Sequence, residues 1–80
     1  MANILIVDEN HGTRELIEEM FLNDGHNVKV TGETTRAIEL FRTKMFDVVI
    51  TDLKIPKING IEFLKIIKDQ KSDTTVIIVT

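Results

Sequence analysis

The sequence predicts an α/β fold built on an open parallel sheet, and three observations carry that expectation. Three short runs, ILIV at 4–7, VVI at 48–50 and VIIV at 76–79, are wholly apolar and β-branched or leucine, as strands covered on both faces tend to be. The segments between them place apolar residues at helical spacing. Strand-like and helix-like segments alternate as βαβαβαβ, an order that puts helices on both faces of one sheet.

Each element follows in turn. After the first strand, Leu16, Ile17, Met20 and Phe21 form an apolar stripe across a helix at 13–23, and Asn23-Asp24-Gly25 supplies its stop. In HNVKVTG, Val28 and Val30 alternate with Asn27, Lys29 and Thr31, so one face can be wet, as on an edge strand. A second helix at 33–44 carries Ala37, Ile38, Leu40 and Phe41. A third at 60–70 carries Ile61, Leu64 and Ile67, with Phe63 and Ile66 beside them. Right-handed crossovers and the edge-like second strand favour the spatial order 2-1-3-4. Strands one and three are then neighbours from which the chain winds away in opposite directions. Open α/β sheets hold their sites at such a point, beyond the carboxyl ends of the strands.

Composition narrows the function classes. The 80 residues suffice for one domain, and residues 1–80 carry no repeat, low-complexity tract or linker. An apolar share of 42% and a charged share of 29% suit a globular chain. No run has the length of a membrane span, and the start lacks the order of a signal peptide. Without cysteine there is no disulfide framework or thiolate metal site, and a cytoplasmic setting is the default. The net charge of −3 and dispersed basic residues disfavour nucleic-acid binding.

The candidate chemistry lies where strands one and three end. The first runs into Asp8 and Glu9, the third into Asp52. A single acid after a strand is most simply a helix cap or an Asx turn. Three converging on one crevice repel one another unless a counter-ion is present. Mg²⁺ is commonly held by a few carboxylates, waters and a carbonyl, so an acidic Mg²⁺ pocket is the stronger reading. In TDLKIPKING, Pro56 keeps Ile55 out of the helical region, and Asn59-Gly60 is a turn pair before the third helix. That loop is expected to hold Asp52 at the sheet edge with backbone carbonyls available to a cation.

ILIVDEN, the later VVITDLKIPKINGIEFL and the closing VIIVT together resemble the receiver domain of bacterial two-component response regulators. The resemblance runs from Asn3 to Thr80 and reaches the family's fourth strand. It implies a flavodoxin-like three-layer sandwich with sheet order 2-1-3-4, lacking the fifth strand and last helices. It implies that Asp52 is the phosphoacceptor, forming an aspartyl phosphate. Asp8, Glu9, Asp52 and the Lys54 backbone carbonyl would hold Mg²⁺, Asp8 through water. Thr80 falls where the family has a hydroxyl that contacts the phosphoryl group; a strand-end Thr of good β-propensity is the plainer account. The implied partners are a sensor histidine kinase as phosphodonor and a downstream output domain or protein.

There are departures. The acidic pair is Asp-Glu where Asp-Asp is common, Ile55 replaces a usual methionine and Asn59 a frequent aspartate. The family's lysine after a fifth strand, which pairs with the acceptor and the phosphoryl group, has no counterpart in these 80 residues. Lys54 and Lys57 flank the site but read better as solvated loop lysines, and His11 and His26 as surface histidines. The enzyme question, self-catalysed phosphorylation and dephosphorylation, therefore stays open at the sequence level. The alternative is a non-enzymatic scaffold that self-associates through an uncovered fourth strand. A haloacid dehalogenase-type phosphatase wants Asp-x-Asp, whereas Lys54 stands two residues after Asp52. Flavin or dinucleotide binding wants a glycine-rich first turn, and only Gly12 is there.

Overall fold

The computed structural model describes residues 1–52, 60–70 and 73–79. Its elements run β1 (Asn3–Val7), α1 (His11–Asn23), β2 (Asn27–Thr31), α2 (Thr34–Thr43), β3 (Val48–Asp52), α3 (Gly60–Gln70) and β4 (Thr75–Val79). The strands form one sheet in the order β2-β1-β3-β4, every pair parallel. The expected fold class and strand order are both observed. β1 is central: Val7 pairs with Thr31 on one side and with Thr51 on the other.

Side-chain alternation along β1 divides the interior in two. Leu5 and Val7 face α2 and α3, in a cluster with Ala37, Leu40, Phe41, Val49, Phe63 and Ile67. Ile4 and Ile6 face α1 and join Ile50, with Ile17, Phe21, Val28 and Val30 packed against them. Phe63 and Ile67 are fully buried, and each contributes about 1.5–3 kcal/mol by leaving water. Phe46 enters the same cluster and stacks on Phe41 at 6.4 Å between ring centroids.

Several local expectations need correction. α1 begins two residues before the expected Thr13 because Asn10 caps it, its side-chain oxygen accepting from the Thr13 N–H at 2.9 Å. Glu33 and Lys44 are extended residues flanking α2 rather than its ends. The α1 stripe is half as wide as expected: Ile17 and Phe21 are half-buried, while Leu16 and Met20 are exposed. In α3 it is Phe63, not Ile61, that reaches the core. Among the described residues, β4 does not have both faces covered. Val76 and Ile78 are half-buried, but Ile77 and Val79 remain 46% and 40% exposed on the α1 side. α1 lies over β1 and β2 and does not extend to that edge.

The stop at Asn23-Asp24-Gly25 behaves as expected. Gly25 takes φ +84°, its N–H bonds to the Leu22 carbonyl, and the His26 N–H reaches back to Phe21. This is a Schellman closure around a left-handed glycine. His26 is not a plain surface residue. Its Nδ1 accepts from the Ala2 N–H at 2.9 Å, and its ring meets Phe21 edge-on at 5.9 Å.

Candidate functional site

The site grows out of the β1–β3 register. Val7 and Thr51 are paired, so the next residues, Asp8 and Asp52, sit side by side at the carboxyl ends of strands about 4.8 Å apart. β2 and β4 lie on opposite sides of this pair, which makes it the topological switch point anticipated from the element order. Asp8 is 6% exposed, Asp52 half-buried and Glu9 exposed.

The first turn is tightly bonded. The Asp8 N–H continues the sheet by donating to the Thr31 carbonyl at 3.1 Å. Asp8 Oδ1 accepts from the Asn10 N–H at 2.8 Å, an Asx turn that leads into the Asn10 cap of α1. The plain account of an acid after a strand therefore holds for one oxygen of Asp8. Its other oxygen has no partner among the described residues, and no salt bridge among them reaches this buried carboxylate. That oxygen is available as a donor to a cation.

The carboxylates present are of the type a hard divalent ion takes. Two neighbouring carboxylates, with Glu9 one residue further along the turn, suit Mg²⁺ completed by waters. Among the described residues no group of three or more His, Asp or Glu side chains is close enough to hold a metal by itself. Any fourth protein donor in this loop would come from 53–59. Lys54, Pro56, Lys57 and Asn59 fall in that stretch, and they and Thr80 lie outside the described residues.

His11 stays on the surface, as expected. Its Nε2 meets Glu15 Oε1 at 3.0 Å one helical turn along, and its Nδ1 faces Arg14 Nη2 at 3.2 Å. Arg14 is the residue sequence reasoning missed. Its Nη1 donates to the Asp8 backbone carbonyl at 2.6 Å, and the guanidinium fills the space beside Gly32. A bond to a main-chain oxygen leaves no mark in residue spacing. Asn10 was missed as well, although an Asn three residues before Thr13 is a recognisable cap signal. A groove of about 520 Å³, lined by Leu22, Val28, Met45 and Phe46 among others, opens at the amino end of the sheet. It is remote from the carboxylates.

Comparison with known proteins gives the same assignment throughout. The family model for the response regulator receiver domain matches residues 4–80. Sporulation initiation phosphotransferase F of Bacillus subtilis is 36% identical over 77 residues, covering 96% of this chain and 62% of that protein. Response regulator ArlR of Staphylococcus epidermidis is 32% identical over 80 residues, covering 100% of this chain and 36% of that protein. The chain thus spans less than two thirds of these relatives' length. Chemotaxis response regulator CheY4 of Vibrio cholerae superposes with a TM-score of 0.93 at 26% identity, over 98% of this chain and 67% of that one. A chain from the complex of histidine kinase ThkA with response regulator protein TrrA gives 0.91 at 31% identity, over 100% and 69%. A receiver domain protein from Methanospirillum hungatei, at 21% identity and a TM-score of 0.96, supports the fold alone. With its sheet order, its acidic switch point and a family match from residue 4 to residue 80, the chain belongs to the response regulator receiver domain family of two-component systems.

Proposed function

We propose that this chain acts as a single phosphoacceptor domain, accepting a phosphoryl group on Asp52 with Mg²⁺ bound beside Asp8. The observation that carries this is the placement of Asp8 and Asp52 next to a paired Val7–Thr51, at the switch point of the sheet. An Asp52 carboxylate oxygen forms the new O–P bond as the P–N bond of a kinase phosphohistidine breaks, and the departing imidazole takes its proton from water. Bound Mg²⁺ would neutralise charge on the phosphoryl oxygens. By analogy with the family, Asp8, Glu9 and Asp52 would hold that ion together with the Lys54 carbonyl, and Thr80 would contact the phosphoryl group. The solved complex of a histidine kinase with a response regulator supports a sensor kinase as donor. A downstream output domain or protein would read the phosphorylated surface. Among the described residues no helix is long and apolar enough to cross a membrane, and a cytoplasmic role accords with this.

Beryllofluoride, a phosphoryl mimic, tests the site without turnover. Fluorine NMR of the protein with Mg²⁺ and beryllofluoride is expected to show a bound resonance that disappears in Asp52→Asn. A bound resonance of equal size in that variant would refute the assignment.

A second reading has its own observation. Among the described residues β4 stands at the edge of the sheet with no charged residue, and it exposes Ile77 and Val79. Uncharged edges are open templates for pairing, so two copies are proposed to associate along β4. Sedimentation or light scattering showing a monomer across the micromolar range would rule this out.

A further inference from the structure

We infer that Arg14 is a positioning residue: its guanidinium clamps the turn that carries Asp8 and Glu9, and the absence of a side chain at Gly32 makes room for it. The metal-related part of this inference rests on the function proposed above; the clamp itself stands on geometry.

Three contacts converge on the turn. Arg14 Nη1 donates to the Asp8 carbonyl at 2.6 Å, a short bond from a charged donor, of the stronger kind. The second arm of the fork, Nη2, lies 3.2 Å from His11 Nδ1, and His11 is held by Glu15 at 3.0 Å. The guanidinium is therefore fixed at both nitrogens. Meanwhile the Asp8 carboxylate is fixed by the Asn10 N–H at 2.8 Å. Main chain and side chain of Asp8 are thus held by separate partners, and Arg14 adds to the Asn10 cap a second side-chain link between the turn and α1.

Gly32 is the counterpart. A Cβ there would lie 2.5 Å from Arg14 Nη1 and 3.3 Å from its Cζ, but 3.4 Å from the Asp8 carbonyl oxygen. The only severe overlap is with the end of the arginine. Gly32 does not have the positive φ that marks Gly25, so its backbone accepts alanine. Gly32→Ala would therefore evict the guanidinium while leaving the fold and the arginine itself in place.

Two variants and their double mutant test this on the full chain. In metal-free protein, amide exchange at Asn10, whose N–H is bonded to Asp8, is expected to rise about tenfold or more in Arg14→Ala, the scale of a lost bond to a charged donor. Gly32→Ala is expected to do the same, and the double variant to exceed neither. Mg²⁺ affinity by calorimetry is expected to fall about tenfold to a hundredfold in both, as on loss of an outer-shell contact. Arg14→Lys, which keeps a donor but not the fork, is expected to restore part of both losses. Wild-type exchange at Asn10 in Arg14→Ala, or additive effects of the two substitutions, would overturn the clamp. Absence of Mg²⁺ binding by the wild type would instead count against the proposed function, with the exchange data still deciding the role of Arg14.

Discussion

The two faces of the sheet are built from the same kind of strand but closed to different degrees. On one, α2 and α3 together cover Leu5, Val7 and Val49 and bury Phe63 and Ile67 completely. On the other, α1 is the one helix that packs among the described residues. It contributes no fully buried residue, shields Ile4, Ile6 and Ile50 with Ile17 and Phe21, and stops short of Ile77 and Val79. Burial depends on what lies opposite a strand, so equal hydrophobicity along β1, β3 and β4 ends in unequal contributions to stability.

Paired phenylalanines offer the most direct way to break this comparison. Phe63→Ala on the closed face is expected to cost about 3–5 kcal/mol. That is a large part of the stability of a chain this size, at about 0.05–0.15 kcal/mol per residue. Phe21→Ala on the open face removes the same atoms from a half-buried position and is expected to cost about 1–2 kcal/mol. With no Trp or Tyr in the chain, urea unfolding followed by far-ultraviolet circular dichroism is the suitable measurement. Equal losses would show that α1 packs as firmly as α3.

Smaller effects sharpen the same contrast. Gly25→Ala forces a side chain into φ +84° at the joint between α1 and β2, and a loss of about 1 kcal/mol is expected. Ile77→Lys on the exposed face of β4 is expected to shift stability by less than about 0.5 kcal/mol while abolishing the association proposed along that strand. If sedimentation showed the variant as associated as the wild type, β4 would not be the contact. Leu16→Gln, exposed on α1, is expected to change neither unfolding nor association within about 0.5 kcal/mol. A larger loss would mean that α1 buries this residue too.

Much of this organisation was legible in the residues, and the exceptions have identifiable causes. Runs such as ILIV mark a strand because β-branched residues suit a pleated, buried surface, and the acids that end them locate the switch point. The same logic overreached at β4, because composition does not say how far a neighbouring helix extends. The buried stripe of α1 is narrower than its periodicity for a related reason: Leu16 and Met20 share the spacing of Ile17 and Phe21, yet only the latter two meet the sheet. Arg14 was invisible because its partner is a backbone oxygen brought near by folding. His26 looked like surface until the Ala2 N–H was found on its ring.

The two ends of β1 also differ in purpose. At the amino end, the Asn3 N–H donates to Asp47 Oδ2 at 2.8 Å, so one oxygen of that exposed carboxylate ties β1 to the residue before β3. At the carboxyl end, Asp8 retains an oxygen beyond its Asx turn and stands next to Asp52. The second arrangement sets two carboxylates side by side at the switch point.

The central claim is that Asp52 accepts a phosphoryl group, and intact mass spectrometry tests it most directly. The protein is incubated with Mg²⁺ and acetyl phosphate, and the adduct is challenged with acid and base. The account predicts a phosphoryl increment on the wild type, stable to acid, labile to base, abolished by chelation and absent from Asp52→Asn. A wild type that gains no increment, or an Asp52→Asn variant that gains the same one, would contradict it.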